Sequence, residues 1–249
     1  MTSDDAFRRN LTLVVLAAGV LLVAGPALAQ DVSIDLGDGQ SISLRTVQLF
    51  ILLTLLSLAP GLAIMVTCFP FMVTVLSILR QAIGVQQAPP NMMIVSLALF
   101  LTWFVMEPVF TEAWAAGISP LVEGAISPED AFAPTMAPFR VFMEGRVDPD
   151  TIETLNAALP EPRDLGLETP LSVLVPSFLL SEIQRGFEVG FLIFLPFLVI
   201  DLVIAAILMS MGMMMVPPAI VSLPFKLAFF VIADGWTLLA GAMVRSYAQ

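Results

Sequence analysis

The sequence predicts an all-α integral membrane protein, with about four kinked or hairpin apolar helices and a mostly helical extracytoplasmic insert. Three observations carry that reading. The chain is 58% hydrophobic and 12% charged over 249 residues, with a mean hydropathy of +0.96, far too apolar for an ordinary water-soluble domain. Its apolar runs are long, nearly charge-free and cut by proline and glycine. Between them lies a stretch of different composition, acidic and proline-rich.

Residues 1–29 read as a secretory signal peptide. Arg8 and Arg9 precede an apolar core over 11–24, and Ala27-Leu28-Ala29 offers a small-residue cleavage site before Gln30. The competing reading is an uncleaved first helix, against which the core is short for a full span. Cleavage would remove two arginines and two aspartates, leaving the formal charge at −11. Residues 30–45 would then be a short periplasmic segment.

The first membrane hairpin region is placed at 46–110. Residues 47–66 carry no charge, and 20 residues of helix reach about 30 Å, enough to cross a bilayer core. Pro60-Gly61 predicts a kink or an early end there. Residues 69–79 are apolar but only about half a span, and a polar turn with Gly84 and the pair Pro89-Pro90 follows. Residues 92–106 resume the apolar pattern until Glu107-Pro108, expected to end it.

Residues 111–185 form the expected periplasmic segment. Its part from 111 to 170 holds eleven acids against Arg140, Arg146 and Arg163, a net charge of −8, and eight prolines cut it into pieces. Short helices joined by loops are expected, not an independent domain. The signal peptide and an even number of crossings before it place it outside the cytoplasm.

The second membrane hairpin region is placed at 186–249. The apolar stretches from 171 onward carry Glu182, Arg185, Glu188, Asp201, Lys226 and Asp234. A charge near the bilayer centre costs about 2.5–3.5 kcal/mol on insertion scales, so these groups should face other helices or water. Five of the chain's 14 methionines fall within 209–215, directly before Pro217-Pro218. Lipid does not require such clustering, and the proline pair stops a helix beside it. Adjacent residues on a helix point about 100° apart, so Met213, Met214 and Met215 cannot share one packing face. On a loop they could converge. Ordinary core packing is the competing reading.

Several function classes are excluded or weakened. A formal charge of −11 and a pI near 4.2 oppose nucleic-acid binding. No histidine occurs, and no nucleophile elbow, Walker loop or cysteine cluster. Glu129-Asp130 and Asp148-x-Asp150 lie in proline-rich loops and read as solvated surface, not as an acid–base pair. Cys68 is alone and reads as a buried structural thiol. No catalytic residue, metal site or cofactor is assigned.

Four motifs in order carry a family resemblance. They are Arg80-Gln81-Ala82-Ile83-Gly84-Val85-Gln86-Gln87-Ala88-Pro89-Pro90-Asn91, Asp201-Leu202-Val203-Ile204, Gly212-Met213-Met214-Met215-Val216-Pro217-Pro218, and Leu223-Pro224-Phe225-Lys226-Leu227 followed by Asp234-Gly235-Trp236. Over about 47–246 the chain closely resembles the FliP family, export-gate proteins of the flagellar type III secretion apparatus. Injectisome relatives look similar in the membrane parts. The Gln-Gln-Ala-Pro-Pro and Met-Val-Pro-Pro wording and the signal peptide favour the flagellar branch.

The resemblance implies a structural gate, not an enzyme. It implies several copies, about five, assembled with FliQ and FliR into a helical pore complex, with FlhB associated and FlhA forming a surrounding ring. Unfolded flagellar subunits would pass through this channel in the bacterial inner membrane, at the flagellar basal body. Met213, Met214 and Met215 match the family's methionine gasket, and Glu182 matches a charged position. An apolar methionine ring would block ions by dewetting while yielding to any sequence. Lys226, the only lysine, is expected to pair with Glu182 or Asp201 between neighbouring subunits; interfacial snorkelling is its alternative. Asp234 is expected to mark a helix end. The remaining alternatives from other classes are a small-solute or ion transporter and a passive membrane scaffold.

Overall fold

The computed structural model describes residues 33–35, 41–85, 89–166, 169–213 and 215–247. The expected signal peptide, with Ala27, Ala29 and Gln30, lies outside the described residues, as does Met214. The chain separates into two compact units, 1–58 and 59–249. In the first, strands β1 (Ser33–Asp35) and β2 (Ser41–Ser43) pair antiparallel with Ile34 opposite Ile42. Helix α1 (Leu44–Met65) starts directly after them.

The remaining described elements are helical. They are α2 (Phe69–Ile83), α3 (Asn91–Ala113), a π-helical turn (Trp114–Ile118), α4 (Ser119–Val122), α5 (Pro128–Glu144), α6 (Pro149–Ala157), α7 (Leu171–Ser210), α8 (Pro218–Ile232) and α9 (Gly235–Arg245). Apart from the short β1–β2 pair the described residues form an all-α protein with apolar helices of membrane-spanning length. Among the described residues, 91–122 and Leu171–Ser210 qualify by length and composition. The pair α8–α9, bent by 61°, would make a third span where about four were expected.

Proline proves a weaker punctuator than the sequence suggests. Helix α1 runs through Pro60-Gly61 to Met65, so the early end does not occur. Glu107-Pro108 does not end α3, which continues to Ala113 and through the π turn into α4. Helix α7 keeps Pro176 and Pro196 in its interior, and position 185, the expected limit of the insert, falls inside it. An interior proline costs about 3 kcal/mol, but in an apolar segment every backbone group released from a helix lacks water as a substitute partner. Continuing the helix is the cheaper outcome. At 40 residues α7 is about 60 Å long, twice a bilayer core, so it also reaches beyond one.

Helix α2 is central to the second unit. Cys68, Phe71, Met72, Val75, Leu76, Leu79, Ala82 and Ile83 are buried at spacings of three and four, one continuous stripe along one helix. The stripe packs with Ile94, Ala98 and Met106 of α3 and Phe197 of α7. Helix α7 lies against α2 through Gly186 and Gly190, where a Cβ would sit 3.0 Å from Thr74 and 2.3 Å from Ile78 Cδ1. A larger residue at either position would force its neighbour to shift, so the two glycines favour this approach, the small-xxx-small device of apolar helix pairs.

The insert divides as its prolines suggest. Ser127 caps α5 by accepting from the Asp130 amide at 3.2 Å, with Pro128 opening the helix and Glu129 and Asp130 in its first turn. Both acids thus complement a helix N-terminus. A smaller core of Met143, Val147, Leu174 and Phe178 joins the insert to the start of α7.

Candidate functional site

The methionine cluster sits at a turn between two helices. Helix α7 ends at Ser210, and Gly212 follows in the left-handed region at φ +74°. The Gly212 amide donates to Met209 O at 3.0 Å and the Met213 amide to Leu208 O at 2.9 Å. These bonds close the helix end, and glycine takes the positive φ without penalty. Pro217 is then extended at φ −64°, ψ 119°, and Pro218 opens α8, where its missing N–H costs nothing. The break expected at Pro217-Pro218 is therefore formed.

The described methionines of this turn are not core residues. Met209, Met211 and Met213 are exposed, and Met215 is 96% exposed. An apolar side chain so fully uncovered in a single chain contributes nothing to that chain's packing.

A polar clamp joins the two arms behind the turn. Lys226 Nζ of α8 donates to Asp201 Oδ2 of α7 at 2.6 Å and to the Ala82 carbonyl at 3.0 Å. Ser222 donates to Asp201 Oδ1 at 2.6 Å. Asp201 precedes the turn and Lys226 follows it by similar numbers of residues, so antiparallel arms bring them level. The ammonium also lies at the C-terminal end of α2, where the helix dipole and unpaired carbonyls favour a cation. Within this chain Lys226 is thus a buried charge paired with Asp201, one of the two partners expected for it. Lys226 is 5% exposed, which also removes the snorkelling alternative.

Glu182 has other partners than Lys226. Its fully buried carboxylate lies 3.1 Å from Arg146 Nη2 and 3.7 Å from Arg185 Nη1, and it accepts a hydrogen bond from the Tyr247 hydroxyl. Arg146 also donates to the Ser246 carbonyl at 2.8 Å, and its guanidinium stands 4.1 Å from the Tyr247 ring centroid. One residue away, Ser181 Oγ accepts from the Asp148 amide at 3.0 Å. Arg146 and Tyr247 were not singled out from the sequence. The only available signal was that a buried carboxylate in an apolar run needs a cation.

The other candidates are structural. Asp234 lies at φ +48° at the bend between α8 and α9, accepting from the Thr237 hydroxyl at 3.1 Å, a helix end as expected. Pro90 precedes α3 and its carbonyl receives the Met93 and Ile94 amides, so Pro89-Pro90 lead into a helix. Arg80 of α2 donates to Asn91 Oδ1 across that turn. Among the described residues no group of acids or cysteines is placed to hold a metal ion. Among the described residues the arrangement offers exposed thioethers at a turn and buried polar clamps, and no nucleophile beside a base.

Known proteins are similar to this chain in sequence. The model of the FliP family matches residues 52–243. The flagellar biosynthetic protein FliP of Caulobacter vibrioides is 49% identical over 98% of this chain and 93% of its own length. That of Agrobacterium fabrum is 45% identical over 95% and 99%, and that of Aquifex aeolicus 40% over 96% and 99%.

Proposed function

The chain belongs to the FliP family, and from that membership we propose that it is a core component of the flagellar type III protein export gate. In this reading about five copies assemble with FliQ and FliR, joined by FlhB and FlhA, in the inner membrane at the flagellar basal body. The segment from 111 to 185 faces the periplasm. Unfolded flagellar subunits cross the channel, and Met213, Met214 and Met215 of neighbouring copies close it between substrates.

One observation carries this proposal: the chain's own bonds close the ends of the methionine turn yet leave its described methionines uncovered. The αL closure at Gly212, the Pro217-Pro218 start and the Asp201–Ser222–Lys226 clamp fix the turn's position. Met213 and Met215 nevertheless present their thioethers outward. Exposed apolar tips beside a clamped helix pair suit contact with something that changes. Methionine is unbranched and rearranges around irregular partners at small cost, and an apolar constriction excludes ions by dewetting. Energy for export must come from other components, because these residues bind no nucleotide by any recognised pattern.

Extraction from native membranes in mild detergent, followed by native mass measurement, tests the assembly. About five copies with FliQ and FliR are expected. A solitary chain, or a complex lacking both small partners, overturns the reading.

A further inference from the structure

The residues that follow α9 close over the junction between the insert and α7. Tyr247 alone touches three helices and a loop. Its hydroxyl donates to Glu182 of α7. Its ring lies nearly parallel to Phe142 of α5, with centroids 6.0 Å apart, and edge-on to Phe71 of α2 at 5.6 Å. The Arg146 guanidinium, from the loop between α5 and α6, stands over the same ring, and Arg146 also donates to the Ser246 carbonyl at 2.8 Å.

Where Ser246 and Tyr247 stand is decided by α9. The Ser246 amide donates to Ala242 O at 3.1 Å and the Tyr247 amide to Val244 O at 3.0 Å, so both residues continue the helical turn. Leu239 and Met243, one and two turns earlier, are buried in the core built around α2. Seating those two side chains therefore carries Tyr247 to the insert. Without α9 in place, Arg146 would lose a carbonyl and an aromatic face, and the buried Glu182 would lose a donor. A buried ion pair holds only when its remaining hydrogen-bonding groups are also served. Ser246 lies 100 residues beyond Arg146, so the insert is made long before the groups that complete its attachment.

We propose that Ser246 and Tyr247 are a latch that makes docking of the insert conditional on the seating of α9. With the latch open, α5 and α6 come away from α7 as a local unit, while α2 and α7 stay packed through Gly186, Gly190 and the apolar stripe. The coupling is reciprocal, so an insert that cannot dock also loosens the end of α9. It is independent of the methionine turn and of what that turn closes.

Peptide-resolved hydrogen exchange of the full chain, purified in mild detergent with whatever accompanies it, tests the latch. Tyr247→Ala should speed exchange of α5 and α6 by about a hundredfold, because ring contacts, the cation–π contact and a hydrogen bond are lost together. Tyr247→Phe keeps the ring and should speed it by about tenfold. Exchange in α2 should stay unchanged in both. Arg146→Met should loosen the second half of α9 as well as the insert. The double variant Arg146→Met/Tyr247→Ala should exchange in α5 and α6 no faster than the faster single variant. Unchanged exchange of the insert in Tyr247→Ala overturns the proposal. So does α2 loosening as much as the insert, which would mean a general loss of the core, or an α9 indifferent to Arg146→Met. Additive effects in the double variant overturn it too.

Discussion

Lys226 and Asp201 lie 25 residues apart on opposite sides of the methionine turn and meet at 2.6 Å within one chain. The Lys226 side chain is 7% exposed and that of Asp201 34%, so the two partners are not equivalent. Losing Asp201 strands a buried ammonium with only the Ala82 carbonyl and the α2 dipole. Losing Lys226 leaves a carboxylate that water can still reach and that Ser222 still serves.

Asp201→Ala should therefore be the more damaging change. A destabilisation of about 3 kcal/mol is expected, the lower end of the range for breaking a buried pair, because this one is partly hydrated. Lys226→Met should cost about 1–2 kcal/mol. Thermal unfolding of the detergent-solubilised protein measures both. Equal losses, or a larger loss for Lys226→Met, would contradict the asymmetry.

The Glu182 cluster makes a second prediction. Arg146 ties the insert to α7, so Arg146→Met should leave a fully buried carboxylate with only Arg185 at 3.7 Å and the Tyr247 hydroxyl, and cost about 3 kcal/mol, the lower end of the range for breaking a buried pair. Tyr247→Phe removes one hydroxyl bond and should cost about 1–2 kcal/mol. The two changes share Glu182 and should not add. Limited proteolysis should cut between α5 and α6 faster in Arg146→Met; unchanged cutting there would mean that the ion pair does not hold the insert.

Packing of α2 on α7 gives a third. A methyl group at Gly190 would come within 2.3 Å of Ile78 Cδ1, so Gly190→Ala should destabilise by about 1–3 kcal/mol. Ile78→Val in that background should recover part of the loss. If the double variant is as unstable as the sum of both singles, the clash is not the cause.

The turn itself supplies a fourth. Gly212 is at φ +74°, where alanine costs about 1 kcal/mol while asparagine is tolerated better. Gly212→Ala should reduce swimming more than Gly212→Asn at equal protein level. The reverse order would remove the αL requirement.

What the sequence made legible was local. Met213, Pro217 and Pro218 lie within six residues, and their consequence, a helix break with methionines at it, is visible in those residues alone. The buried stripe of α2 is likewise periodic. Pro60 and Pro108 misled because a proline's cost is set by what else the freed backbone could bond, which depends on the apolar surroundings. Glu182 and Arg146 are 36 residues apart, and no local pattern joins them. Gly186 and Gly190 did carry a signal, a glycine pair at a spacing of four in an apolar helix, that periodicity of large residues passes over.

Ion conductance of the assembled complex in planar bilayers tests the central claim most directly. With Met213, Met214 and Met215 shortened together to alanine, the complex should pass a steady ion current that the unaltered complex does not. A variant complex that assembles normally and remains as tight as the unaltered one would contradict methionine closure of the channel.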